Sequence, residues 1–87
     1  MLVFNQNNIK KYYLSPYINI YYRDSDILIY NYIKNVAVRI ELKNPKIIRY
    51  LKQGHSYNEL REYVREILLE KYPDDWISIA YQAGIIE

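Results

Sequence analysis

Few residues in this sequence have the type and spacing that catalysis or metal binding requires. His55, the single histidine, stands between a helix-ending glycine and a serine that can cap the next helix, and no second histidine offers metal-ligand spacing. The chain has no cysteine and no glycine-rich phosphate loop. Two close acidic pairs, Asp24 with Asp26 and Asp74 with Asp75, are explained by a turn and by a helix start. The sequence therefore predicts a protein that is not an enzyme and carries no metal or cofactor.

The composition predicts one small domain in a reducing compartment. Eighty-seven residues close a single core, and the lack of cysteine leaves no disulfide to support it. No apolar run is long enough for a signal peptide or a membrane span, so we predict a cytoplasmic protein without a membrane partner. Lys and Arg exceed Asp and Glu by only 12 to 10, with both signs interspersed, which is a weak footprint for nucleic acid.

The first half of the chain alternates with the period of β-strands. Apolar and polar residues alternate over 17–23, 27–33 and 36–41, with turn-forming residues between the runs. Because the three runs are close together in sequence, they predict an antiparallel meander. Many of the twelve tyrosines lie in or near these runs, where they are expected to coat the outer face of the sheet. The residues of the third strand predicted to point inward are Val36, Val38 and Ile40.

Helical periodicity and capping residues follow the strands. Asn44 is a good N-cap for a short helix that Gly54 ends. Ser56 and Glu59 have the spacing of a capping box, which predicts the start of a second, clearly amphipathic helix. Pro73 is expected to end this helix or its tail. The predicted fold class is therefore α+β, a three-stranded antiparallel meander followed by three helices in a winged helix-turn-helix-like order.

The last predicted helix is more apolar than a surface helix needs to be. It opens with a pair of aspartates, which suit the positive end of the helix dipole, and closes at Gly84. Only Ser78 and Gln82 are polar in its body, so its apolar surface exceeds the stripe that one packed face requires. Part of this surface must be exposed, covered by residues 1–16, or covered by a partner.

The order of these elements, together with three short motifs, resembles the PqqD-like RiPP recognition element, the leader-peptide-binding domain of ribosomally made peptide pathways. The resemblance covers 14–87, so it implies a single peptide-binding domain preceded by an N-terminal arm at 1–13. The motifs are Leu14-Ser15-Pro16 before the first strand, the helix junction LKQGHSYNEL at 51–60, and the closing Ala83-Gly84-Ile85-Ile86-Glu87.

The resemblance implies that a precursor peptide binds by strand addition and is presented to a separate modifying enzyme. In that family the leader adds as an antiparallel strand beside the third strand and lays its apolar side chains against the third helix. The implied site has a sheet wall, a helix wall whose small side chains leave room for the peptide, a tryptophan at the rim or floor, and an arginine that reads an acidic leader residue. Its residues are Val36, Val38, Arg39, Ile40, Glu41, Trp76, Ile79, Ala80 and Ala83.

A winged-helix DNA-binding regulator is the alternative, because it shares the order of strands and capped helices. Charge argues against this alternative. The last helix opens with two aspartates and contains no Lys or Arg, whereas a recognition helix needs cations near the phosphates. We therefore predict that the protein does not bind nucleic acid. The open edge of the sheet also allows a homodimer.

Overall fold

The structure, a computed structural model, describes residues 10–41 and 46–87. Three strands come first: β1 (Ile18–Tyr22), β2 (Asp26–Asn31) and β3 (Val36–Glu41). Three helices follow in the described part of the chain: α1 (Ile47–Gln53), α2 (Tyr57–Glu66) and α3 (Pro73–Gln82). The predicted α+β class, an antiparallel three-stranded sheet followed by three helices, is confirmed.

The strands form a meander in the order β1-β2-β3, so β2 is central and the other two strands are edges. Ile29 of β2 lies opposite Ile20 of β1 and Val38 of β3, and this register puts alternate residues of all three strands on one face. Ile27 and Ile29 are fully buried on that face, against side chains of the helices. Burying an isoleucine of this kind stabilises the fold by about 2 kcal/mol.

The second strand ends at Asn31, earlier than the sequence pattern predicts. The predicted alternation continues to Ile33, but Ile33 lies outside the strand and is 67% exposed. The side-chain oxygen of Asn31 accepts the backbone N–H groups of Ile33 and Lys34 at 2.9 and 2.8 Å, which bends the chain into a turn. Asn35 completes the turn with a φ of 59°, a conformation that asparagine tolerates and that its position predicts.

Local capping interactions begin α2, and a proline begins α3. Ser56 Oγ accepts the N–H of Glu59 while the Glu59 carboxylate accepts the N–H of Ser56, so the predicted capping box is confirmed. Of the two predicted places for Pro73, the end of α2 is wrong, because α2 stops at Glu66, whereas the end of the tail that follows α2 is correct. The chain has already left that helix at Leu69, whose φ is 59°, and Pro73 is the first residue of α3. The predicted N-cap Asn44 lies outside the described residues.

The segment before β1 pairs with distant parts of the chain. Tyr12 exchanges backbone hydrogen bonds with His55 at 2.8 and 3.0 Å. Tyr13 exchanges them with Glu87, both at 2.8 Å. The sequence interpretation assigned both tyrosines to the arm at 1–13, yet these bonds join them to the domain.

This pairing also bears on what covers α3. The Tyr12 ring makes an edge contact with the ring of Tyr81 on α3, with centroids 6.1 Å apart. Among the described residues, the N-terminal segment therefore contacts α3 on the flank that carries Tyr81. Residues 1–9 of the segment expected to cover the helix lie outside the described residues.

The buried core joins β2 of the sheet to all three helices and to the segment after α3, and each of these parts contributes at least one side chain that is nearly or wholly inaccessible. None of the helices in the described residues is long and apolar enough to span a membrane. The core side chains at the centre of this packing are Ile27, Ile29, Ile47, Leu51, Leu60, Val64, Ile77, Ile85 and Ile86.

Candidate binding cleft between β3 and α3

A cleft of about 170 Å³ opens between the edge strand β3 and helix α3. On α3 the residues that line it are spaced three and four apart, which places them on one side of the helix. The floor is closed by a residue of the C-terminal segment. The lining residues are Val38, Arg39 and Ile40 from β3, Trp76, Ile79 and Ala80 from α3, and Ile85.

The turn between β2 and β3 holds the C-terminal end of α3 beside the sheet. The buried Asn31 side chain donates from Nδ2 to the carbonyl of Gly84 at 2.7 Å, and Lys34 Nζ donates to the carbonyl of Gln82 at 3.1 Å. Gly84 has a φ of 75°, and a Cβ there would lie 2.3 Å from Asn31 Nδ2, so the approach requires glycine. These contacts position α3 next to β3 and so set the width of the cleft.

The cleft combines a buried apolar floor with an exposed apolar rim. Ile85 and Ala80 are buried at its base, while Trp76 is half-buried. Ile79 is 58% exposed although it is a large aliphatic side chain on a helix. An apolar surface of this shape gains free energy when a second apolar surface removes it from water.

The backbone of β3 is available beside this surface, as the hydrogen-bond pattern of the sheet shows. Tyr32, the residue that follows β2, donates its N–H to the carbonyl of Tyr17 at 3.1 Å. Backbone groups alternate in direction along an antiparallel strand, so every second residue of β2, counted backwards from Tyr32, bonds toward β1. The residues between them, including Ile29, bond toward β3. Val38, the partner of Ile29 in the register, therefore directs its backbone groups to β2.

The neighbours of Val38 in the strand point the other way. Ala37 and Arg39 direct their backbone N–H and C=O groups away from β2, toward the open edge. Within the described residues β3 pairs only with β2, so this edge can accept a further strand. Arg39 therefore lines the cleft through its backbone.

The Arg39 side chain lies on the opposite face of the sheet from the cleft, because side chains alternate along a strand. There its guanidinium contacts the buried Asp26 carboxylate at 3.3 Å and stays largely exposed. Asp26 is held mainly by Arg23, which donates through Nε and a terminal nitrogen at 2.6 and 2.7 Å. The hydrogen bonds from Arg23 lower the pKa of Asp26, against the opposing effect of burial. The role of Arg39 as a reader of an acidic residue stays a prediction, and its side chain could play that role only on the outer face of the sheet.

The structure does not bring every predicted residue to the cleft. Val36 and Glu41 lie at the two ends of β3 and do not line it. Ala83 was expected to leave room for the peptide, but it is only 7% exposed, belongs to the core and does not line the cleft. Ile85 was missed. The adjacent apolar pair after a helix-ending glycine, Ile85 and Ile86, was the only signal that the sequence offered for it.

A larger depression, about 540 Å³, lies along α2, but it is wide open and has no strand edge beside it. Its floor is a stack of three rings, with Tyr50 in the middle. The centroid of the Tyr50 ring lies 3.7 Å from that of His55 and 3.8 Å from that of Tyr63. Burial, followed by the charge of Glu59, raises the pKa of Tyr50 to about 12. His55 is thus packed in an aromatic stack, with Nδ1 3.3 Å from a Glu59 oxygen.

Comparisons of the chain with protein-family models, with curated proteins and with solved structures found no match. The resemblance to PqqD-like elements therefore stays a prediction. In the described residues, the cleft brings together an open strand edge, an apolar floor and an exposed isoleucine.

Proposed function

We propose that this protein binds an extended peptide by strand addition at β3, and that the peptide is the leader of a ribosomally synthesised precursor, presented to a separate modifying enzyme. The observation that carries the proposal is the juxtaposition of the open β3 edge and the apolar cleft against α3. An edge strand supplies main-chain hydrogen bonds and the cleft supplies side-chain selectivity, which together are the two requirements of strand-addition recognition.

The geometry divides the ligand into two faces. An added strand would bond to the outward backbone groups of Ala37 and Arg39, and alternate side chains would point toward the cleft. A volume of about 170 Å³ is smaller than the roughly 300–1,000 Å³ of drug-sized ligand pockets, so it suits an apolar side chain better than a free metabolite. The other ligand face would lie beside the exposed Arg39 guanidinium, which favours an acidic residue there.

The expected affinity is moderate. Four main-chain hydrogen bonds contribute about 1 kcal/mol each, and a buried aliphatic anchor contributes about 2–3 kcal/mol. These gains must exceed an association cost of roughly 4–15 kcal/mol, so one anchor is insufficient and the peptide has to contact Trp76 or Ile79 as well. A dissociation constant of about 1 μM corresponds to roughly −8 kcal/mol, so it requires further apolar contacts beyond this single anchor.

A titration of isotope-labelled protein with the short peptides encoded beside its gene tests the proposal. Amide signals of β3 and of Trp76 to Ala80 are expected to shift together, while those of Arg61 and Arg65 on α2 stay unchanged. Shifts confined to α2 would place the binding site elsewhere. No binding by any neighbouring peptide, together with salt-sensitive retardation of promoter DNA, would favour the winged-helix regulator instead.

The matched variants are Ile79→Asp and Ile67→Asp, since both residues are exposed isoleucines of the helical half, at 58% and 47%. Ile79→Asp puts a charge into the cleft and is expected to weaken peptide binding by about thirtyfold, equivalent to roughly 2 kcal/mol. Ile67→Asp lies outside the cleft and should leave affinity unchanged. Calorimetry measures both, and equal losses would contradict the assignment.

A further inference from the structure

A second pocket lies on another flank of α3, away from the cleft. Its volume is about 230 Å³, and it lies where the N-terminal segment, the first turn of α2 and α3 meet. Its α3 residues have the same three-and-four spacing as the cleft residues but are offset from them by two positions along the helix, so the helix presents a different face to each site. The lining residues, here called the tyrosine cage, are Tyr12, Tyr57, Asp74, Ile77, Ser78 and Tyr81.

The Tyr12 ring is steeply inclined to each of the other two rings of the tyrosine cage. The centroid of Tyr12 lies 6.4 Å from that of Tyr57 at an interplanar angle of 66°, and 6.1 Å from that of Tyr81 at 80°. Rings at such angles act as separate walls around a space, whereas parallel rings fill it. Each aromatic face carries negative potential, so a space bounded by several rings attracts cations.

A carboxylate completes the tyrosine cage. Asp74 Oδ1 accepts the hydroxyl of Tyr57 at 2.5 Å. This hydrogen bond, with the nearby charge of Arg61, lowers the pKa of Asp74 and keeps it ionised at neutral pH. Arg61 Nε lies 3.2 Å from Oδ1 and 3.4 Å from Oδ2 but does not line the pocket, so it is a competing cation at the rim.

We propose that the tyrosine cage binds an alkylammonium group, either the head of a small quaternary amine or the end of a partner's lysine side chain. A cation that leaves water for a site bounded by aromatic rings and one carboxylate pays a small net free-energy cost, because contacts with the rings and the negative charge compensate for the lost water. One of these rings already contacts a cation, since Lys10 Nζ lies 4.9 Å from the centre of the Tyr12 ring. The volume of about 230 Å³ suits one such group rather than a larger ligand.

Choline is the first probe, and its neutral isostere 3,3-dimethylbutan-1-ol is the control. Amide and ring signals of Tyr57, Ser78 and Tyr81 are expected to shift with choline, and the isostere should bind at least about fivefold more weakly. Nα-acetyl-lysine methylamide is the third probe. Tighter binding of choline would point to a free quaternary amine, and tighter binding of the lysine derivative would point to a protein partner. Equal binding of the neutral isostere, or shifts outside the tyrosine cage, would overturn the proposal.

Variants of opposite expected sign separate binding from stability. Arg61→Gln removes the competing cation and is expected to tighten choline binding about threefold, whereas Asp74→Asn weakens it by a similar factor. A gain of affinity cannot come from partial unfolding. No change in either variant would show that the carboxylate does not contact the ligand.

The ring contribution has a matched control. Tyr81→Leu keeps an apolar side chain but removes one aromatic wall, and it should weaken choline binding about fivefold. Tyr21→Leu changes a tyrosine of equal exposure, 50%, on β1 and should have no effect. The tyrosine cage does not include β3. If choline fails to bind the cage, the strand-addition proposal is therefore unaffected, and if no peptide binds at β3, the cage proposal is unaffected.

Discussion

The two edge strands of the sheet, β1 and β3, expose the same kind of backbone but differ in what lies next to them. Each pairs with β2 along one side only in the described residues. Beside β3 runs α3, with an apolar cleft of about 170 Å³ between the two. β1 instead carries the exposed tyrosines Tyr21 and Tyr22, and it does not line that cleft.

Under the strand-addition proposal, this difference means that an open strand edge alone is not a specific site. Main-chain hydrogen bonds are the same for any sequence, so they contribute affinity without selecting a ligand. Selection requires a side-chain receptacle at the edge, which here depends on α3.

Displacing α3 is expected to have the largest effect, because the helix is what distinguishes the two edges. Ala83→Glu would bury an unpaired charge in the core at the end of α3 and should lower the free energy of unfolding by about 3 kcal/mol or more. Gln82→Glu is the control, since Gln82 is exposed. Urea unfolding measures both. If Ala83→Glu unfolds no more easily than the control, Ala83 lies outside the core.

The backbone of each edge can be tested by proline, which removes one donor. Arg39→Pro deletes an outward N–H on β3 and is expected to weaken peptide binding roughly tenfold. Tyr22→Pro makes the same change at an outward position of β1 and should leave affinity unchanged. Calorimetry with one leader peptide compares them. A larger loss from the β1 variant would mean that the peptide adds to the other edge.

The smallest expected effect concerns Asp26, which joins the two edges through Arg23 and Arg39. Its pKa is lowered in the folded protein, chiefly by the hydrogen bonds from Arg23, so its contribution to stability is present above the ordinary carboxyl pKa. That contribution is lost as the pH falls below the ordinary carboxyl pKa and through the lower, folded-state pKa. Asp26→Asn should therefore destabilise the protein at pH 7 and make little difference in acid.

Variants of the two arginines compare how much each ion pair with Asp26 contributes to stability. Arg23→Gln should cost more stability at pH 7 than Arg39→Gln, because Arg23 makes two contacts at 2.6 and 2.7 Å and Arg39 one at 3.3 Å. Urea unfolding at pH 7 and pH 3 provides the measurement. A pH-independent effect of Asp26→Asn would show that packing, rather than charge, is what the carboxylate contributes.

Much of the fold was predictable because its signals are local. The bounds of β3, the capping box of Ser56 and Glu59, and the positive φ of Asn35 each depend on residues a few positions apart. Six residues predicted for the site do line the cleft: Val38, Arg39, Ile40, Trp76, Ile79 and Ala80.

The sequence by itself determined the order of strands and helices and the excess of apolar surface on α3, since hydrophobic period and capping are properties of neighbouring residues. Tertiary packing alone decided which apolar residues meet. It buried Ala83 and left Ile79 exposed, although both are apolar residues of the same predicted helix. It also brought Ile85 to the floor of the cleft. The physical reason is that hydrophobicity favours burial but is non-directional, so the burial partner depends on contacts between residues far apart in the chain.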